Sequence, residues 1–183
     1  MKLSQPRITP LAPSEWTEEQ RPALEPVYKE GPVYNVMATM SRHWPAWKKF
    51  GVWAYHIMGD TSTLVPRERE ILILRIGWLC QAEYEWGQHV IFGKKAGLTD
   101  VEIERIKAGP DAPGWAPFDA TLLRATDELH KDAFISDATW AALSQRYNTQ
   151  QLMDVVFTVG QYNLVSMALN TFGVQLDKGV KGF

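Results

Sequence analysis

Residues 67–98 read RERE-ILILRIGWLC-QAEYEWGQHVIFGKKAGL, and this stretch decides the fold class. The apolar run Ile71 to Leu74 would suit a buried strand as well as a helix. Three features favour the helix. Pro66 suits a first helical turn, Glu and Arg flank the run at helical spacing, and no second strand-like run exists for it to pair with. A helix opening at Pro66 and running through Trp78 is therefore predicted. A second follows from about Tyr84 to Ala96 and stops at Gly97, which can take the left-handed conformation of a C-cap. Both are expected to be strongly amphipathic, with Glu70, Glu85 and His89 supplying acid/base capacity.

Outward from this pair the chain reads as helix throughout. Thr99 and Glu102 form a capping box that opens a helix to Ala108, and the Pro- and Gly-rich residues 109–117 make a loop. Further helices are predicted from Asp119 to Ala133, from Asp137 to Arg146 behind Ser136, and from Thr149 to Phe172 behind Asn148, the last ended by Gly173. Upstream, Trp47, Phe50, Trp53, Ala54 and Ile57 recur at helical spacing between Pro45 and Met58. A helix from Glu18 to Tyr28 starts at a Thr17/Gln20 capping box and is ended by Gly31-Pro32. Pro6, Pro10 and Pro13 make residues 1–14 an extended arm, of a kind that often lies across a neighbouring subunit. The expected architecture is all-α, with one helical domain over residues 15–183 behind that arm.

Composition narrows the function classes. At 183 residues and 45% hydrophobic content the chain can bury one substantial core. A net charge of -2 from 19 basic and 21 acidic residues gives no field for nucleic acid or for anionic lipid. No apolar run resembles a signal peptide or approaches the roughly 20 residues of a membrane span. With a single cysteine, the expected compartment is the cytoplasm. Eight tryptophans suit core and subunit-interface packing, or an apolar pocket for a ring-shaped substrate.

The candidate chemistry gathers on the central pair of helices. Glu85 and His89 stand four residues apart and share a helix face, where a carboxylate can fix the imidazole tautomer and raise its basicity for general acid/base work. Tyr84 and Trp86 flank them and point in different directions, so at most one lines the same pocket. Arg75, on an otherwise apolar stretch, needs an anionic partner, either an internal acid or a substrate carboxylate held bidentately. Tyr162 and Asn163 interrupt an apolar face on the last helix and are candidate pocket lining. Cys80 ends an apolar run and reads as an inert buried thiol; any redox role would need an external thiol. His130 with Asp127 lacks further ligands at matching spacing, so no metal site is expected.

The placing of Glu70, of Tyr84-Glu85-Trp86 before His89, and of the Gly97-Leu98-Thr99 turn resembles the carboxymuconolactone decarboxylase and alkyl hydroperoxidase D superfamily. Set on Glu70 and His89, the superfamily's two redox cysteines fall on Ala82 and Glu85, so the resemblance is to the decarboxylase-like branch without the Cys-x-x-Cys. It implies an alkyl hydroperoxidase D-like helical bundle, Glu70 beside His89, and a homo-oligomer, trimer or hexamer. The activity it implies is a cofactor-free lyase acting on a small carboxylated or lactone-type compound. There His89 would move the proton, with Arg75 or a polar group of the last helix holding the anion. Two alternatives stand beside it: a thiol peroxidase using Cys80 with an external thiol, and a non-catalytic small-molecule binder.

Overall fold

The computed structural model describes residues 2–30 and 34–183, which carry nine α-helices, two short 3-10 turns and no strand. The helices are α1 (Arg21–Glu30), α2 (Asn35–Met40), α3 (Trp44–Met58), α4 (Pro66–Leu79) and α5 (Glu83–Lys95). They continue with α6 (Asp100–Ala108), α7 (Pro117–Asp132), α8 (Asp137–Ser144) and α9 (Thr149–Phe172).

Helix α4 is the axis of the bundle, packed by α5, α6, α7 and α9. Ile71, Leu72, Ile73, Leu74 and Ile76 are fully buried, which explains why the ILIL run has no polar alternation: every side of this helix faces protein. The expectation of strong amphipathicity is corrected here. Burial runs from Glu68 to Gly77, and in α5 from Tyr84 to His89, so the acids at the start of α4 lie inside the bundle rather than on a solvated face. Such groups persist only with partners. Glu68 accepts from the Tyr147 hydroxyl at 2.6 Å and pairs with Arg146.

The capping signals held where side chains could reach the backbone. Thr99/Glu102 and Asn148/Gln151 are reciprocal capping boxes, and Ser136 caps α8. Thr17 and Gln20 exchange hydrogen bonds as expected, but α1 starts only at Arg21, after a turn, and contains Pro26. The expected stop at Gly31-Pro32 lies outside the described residues. Pro117 is the first residue of α7 rather than the end of a loop. The six-residue α2 carries too short a pattern to be read from sequence.

The proline-bearing arm lies along its own chain. The backbone N–H groups of Arg7 and Ile8 donate to the Phe172 carbonyl, and that of Leu11 donates to Ala38. Helix α9 is by length and composition apolar enough to cross a bilayer, yet it is the bundle's core helix, and 56% of that apolar window is buried inside the protein.

Candidate functional site

Helices α4 and α5 are joined by a turn of a few residues in which Gln81 adopts φ +53°, and the reversal lays α5 antiparallel along α4. Two glycines let the helices close. A side chain at Gly77 would press on Glu85 Cγ at 3.1 Å, and one at Gly93 would meet Leu74 and Leu98 at 3.3 and 3.1 Å. That approach brings Glu70, near the start of α4, opposite His89 on α5.

His89 Nδ1 lies 2.7 Å from Glu70 Oε2, and its Nε2 lies 3.4 Å from Glu85 Oε1. The first contact is a hydrogen bond in which Nδ1–H donates to the carboxylate, fixing tautomer and ring orientation. The second is an electrostatic pairing; Glu85 Oε1 is buried and has no hydrogen-bond partner among the described residues. The imidazole is held edge to face against Tyr162, ring centroids 4.8 Å apart, and tilted against Phe92. All three acid/base groups are almost wholly buried.

Burial pushes the Glu85 carboxyl up to about 7; the His89 charge works against that shift and the Glu70 charge reinforces it. For His89 burial disfavours the cation, but the charge and hydrogen bond of Glu70, with Glu85 behind them, outweigh it and raise its value. Tyr162 is held well above the usual phenol range by burial and by both carboxylates. The site thus stores a proton between Glu85 and His89 near neutral pH, which suits general acid/base work.

A stability signature follows. Between the ordinary 4.5 and about 7 the folded chain keeps a proton on Glu85 that the unfolded chain has lost, so stability falls as pH rises through that window. The raised His89 acts in the same direction, since its stabilising charge is lost as pH climbs through its folded value. Glu85→Gln removes the Glu85 share. The stability difference should therefore move about 3 kcal/mol in the variant's favour between pH 5 and pH 8. Urea melts at the two pH values measure it, and a difference independent of pH would mean that Glu85 titrates as an ordinary surface acid.

These groups front a cavity of about 170 Å³ between α3, α5 and α9. Trp47, Phe50, Ile57, Phe92, Val165 and Leu169 supply its apolar walls, and Tyr84, Glu85, Gln88, His89, Gln161 and Tyr162 its polar ones. Glu70 stands behind His89. Tyr84 and Tyr162 thus take the positions expected of lining residues.

Three expected substrate contacts are corrected. Arg75 lies away from the cavity and is consumed by a bidentate pair with Asp127 and by the carbonyls of Ile106 and Lys107, the internal-acid alternative. Trp86 turns the other way, against Trp78 and Phe183 under the Lys107 ammonium, because adjacent positions on α5 diverge. Asn163 accepts from the Cys80 thiol at 3.1 Å and does not line the cavity.

Cys80 itself caps α4 outside the cavity lining, and burial raises its thiol above the ordinary value, the opposite of an activated nucleophile. Cys80→Ala is expected to cost at most about 1 to 2 kcal/mol and to leave ligand binding unchanged, as measured by urea melts and calorimetry. Abolished turnover in a folded variant would restore a thiol role.

Sequence reasoning missed Gln88, Gln161 and Asp177. Asp177, in the tail after α9, accepts from the Tyr84 hydroxyl at 2.5 Å and the Gln88 amide at 2.7 Å, and from the Asn35 backbone at 2.9 Å. No local signal marks a carboxylate about ninety residues from the side chains it orders. Among the described residues no cluster of His, Cys, Asp and Glu has the makings of a metal site.

Residues 49–128 match the carboxymuconolactone decarboxylase family. The fold matches the alkylhydroperoxidase AhpD core of an uncharacterized peroxidase-related protein from Ralstonia eutropha, with TM-score 0.80 and 16% identity over 93% of each chain. An uncharacterized peroxidase-related protein from a Silicibacter species follows at TM-score 0.76 and 19% identity, over 98% of this chain and 93% of that one. The debrominase Bmp8, in complex with 2,3,4-tribromopyrrole, superposes at TM-score 0.75 and 12% identity, over 96% of this chain and 94% of its own. No curated protein matches the sequence. The family match spans the helices that hold Glu70, Glu85 and His89, and over nearly its whole length the chain shares the alkylhydroperoxidase AhpD-like helical fold.

Proposed function

We propose that this protein is a cofactor-free acid/base enzyme that transfers a proton to or from carbon in a small lactone-type ring. One observation carries the reading: His89 is held at Nδ1 by Glu70 and faced at Nε2 by Glu85, on the wall of a partly open, largely apolar cavity. Glu70 orients the imidazole and stabilises its cation. Glu85, ionising near neutrality, accepts or returns the proton on the cavity side. The burial of all three groups among apolar walls lowers the local dielectric, which strengthens both effects. Size fits a single ring, since an apolar cavity of roughly 150 Å³ is known to admit benzene. The debrominase of the same fold holds a one-ring compound, in keeping with that size.

Loss of carbon dioxide from a carboxylated lactone, by protonation of an alkene carbon as the carboxylate departs, belongs to this reaction class. With Arg75 committed to Asp127, no Lys or Arg among the described residues lines the cavity to hold a carboxylate and His89 is already paired with Glu70, so proton shifts within an uncharged lactone fit the geometry better. The test is a panel of lactones incubated in deuterium oxide without metal, nucleotide or thiol and followed by NMR. Deuterium at one ring carbon is the expected result. Turnover only on adding a thiol, and lost in Cys80→Ala, would overturn the reading.

We also propose a homo-oligomer. Met153, Val156, Leu164 and Met167 form one exposed apolar stripe along α9, a pattern that calls for a partner surface. Sedimentation equilibrium at micromolar concentration should give a multiple of the 20.8 kDa chain mass, and the mass of one chain would refute it.

A further inference from the structure

The polar side chains around the cavity fall into two groups. Tyr84 and Gln88 are spent on Asp177, and His89 Nδ1 is spent on Glu70. Glu85 Oε1 is buried with no hydrogen-bond partner among the described residues, and Gln161 and Tyr162, both largely buried residues, turn polar side chains to the same cavity. A buried polar group without a partner costs about 1 to 3 kcal/mol, so Glu85 Oε1, with two further polar side chains facing the same space, marks where a ligand supplies the missing bond.

Their chemistry fixes what that ligand presents. Glu85 as a carboxylate accepts only, the phenol of Tyr162 donates, and the carboxamide of Gln161 does either. Tyr162 packs on the His89 ring at 4.8 Å and His89 faces Glu85 at 3.4 Å, so these groups lie within the width of one small molecule. The remaining walls are aromatic and aliphatic. No Lys or Arg lines the space, and the nearby Arg69 guanidinium stands 3.9 Å from Glu70 without reaching the cavity. An anion entering here would therefore meet Glu85, and the one cationic group among the described residues that line the space, His89, is already paired with Glu70.

We infer that the cavity takes an uncharged single-ring compound bearing an N–H or O–H donor beside a carbonyl acceptor, as in a lactam or hydroxylactone. The donor binds Glu85 Oε1, the acceptor is met by Tyr162 and Gln161, and the ring lies against Trp47, Phe50 and Phe92. This rests on the cavity being the substrate site, as proposed above, but not on any turnover.

Three probes of similar size separate the possibilities: 2-pyridone, with donor and acceptor side by side; toluene, with neither; and benzoate, with a charge. Calorimetry should rank 2-pyridone at least about tenfold tighter than either, the usual worth of one hydrogen bond to a charged group. Gln161→Leu and Tyr162→Phe should each weaken 2-pyridone about fivefold or more while toluene binding, which reports an intact cavity, stays within about twofold. Toluene or benzoate binding as tightly as 2-pyridone overturns the inference while leaving a ligand cavity in place. Equal weakening of all three probes in the variants also overturns it, since that reports a general packing defect. Failure of every probe to bind overturns it together with the pocket assignment.

Discussion

His89→Ala is expected to lower kcat by about 10²- to 10⁴-fold on a substrate of the class proposed, the usual contribution of a positioned proton donor or acceptor. Glu70→Gln keeps an oxygen that can accept from Nδ1 but removes the charge that stabilises the imidazolium, so a smaller loss in kcat is expected from it. The decisive measurement is the double variant. Glu70 has its hydrogen bond to His89 and lies behind it, outside the cavity lining, so it acts through the imidazole. Once His89 is gone, removing the Glu70 charge should cost little more, because groups that work as one unit are strongly non-additive. Steady-state kinetics on the two single variants and the double would show this. Losses that multiply would mean that Glu70 meets the substrate independently. Stability should not follow activity: the melting temperature of Glu70→Gln should be unchanged or higher, since buried polar groups at such sites are held at some cost to folding, whereas His89→Ala strands the buried Glu70 carboxylate and should lower it.

The helical frame was legible because its signals are local. Asn148 with Gln151, Thr99 with Glu102, and Ser136 each satisfied the backbone groups they stood next to, whatever lay beyond them. The Glu85–His89 pairing was legible for the same reason, four residues on one face. Glu70 opposite His89 was not local: it depends on the reversal at Gln81 and the close approach at Gly77 and Gly93, and only family resemblance pointed to it. The expected amphipathicity of α4 and α5 failed because residues such as Glu68 and Glu70 read as surface charges until their partners, Tyr147 and His89, arrive from distant segments. Asp177, Gln88 and Gln161 carried no sequence signal at all. Their roles exist only where the tail, α5 and α9 meet around one space.

Arg75 shows the same limit with the largest consequence for folding, and Arg75→Ala is expected to destabilise the protein by about 3 to 5 kcal/mol, as loss of one partner from a buried ion pair does. The guanidinium donates through Nε and Nη2 to the two oxygens of Asp127 at 2.6 and 2.8 Å, tying α4 to α7. Through Nη1 it also donates to the carbonyls of Ile106 and Lys107, at 2.8 and 3.0 Å, in the last turn of α6, where helical N–H donors run out. Gly109, at φ +94°, passes so close that a side chain there would lie 2.8 Å from Nη2. Arg75→Ala therefore strands a carboxylate and the Lys107 carbonyl, and leaves the Ile106 carbonyl with the Gly109 N–H alone. The Asp127 side chain is about one-third exposed, and water reaching it holds the loss toward the lower figure. Arg75→Lys should recover only part, because an ammonium cannot match the bidentate fork. Arg75→Met with Asp127→Leu should recover more, since that pair leaves no buried charge uncompensated. Urea denaturation of the four proteins gives the order, and calorimetry with 2-pyridone on the folded variants should find the cavity's affinity within about threefold of the parent, a shift under about 0.7 kcal/mol. A folded Arg75→Ala of unchanged stability that binds carboxylate ligands more than about tenfold more weakly would instead return Arg75 to the substrate.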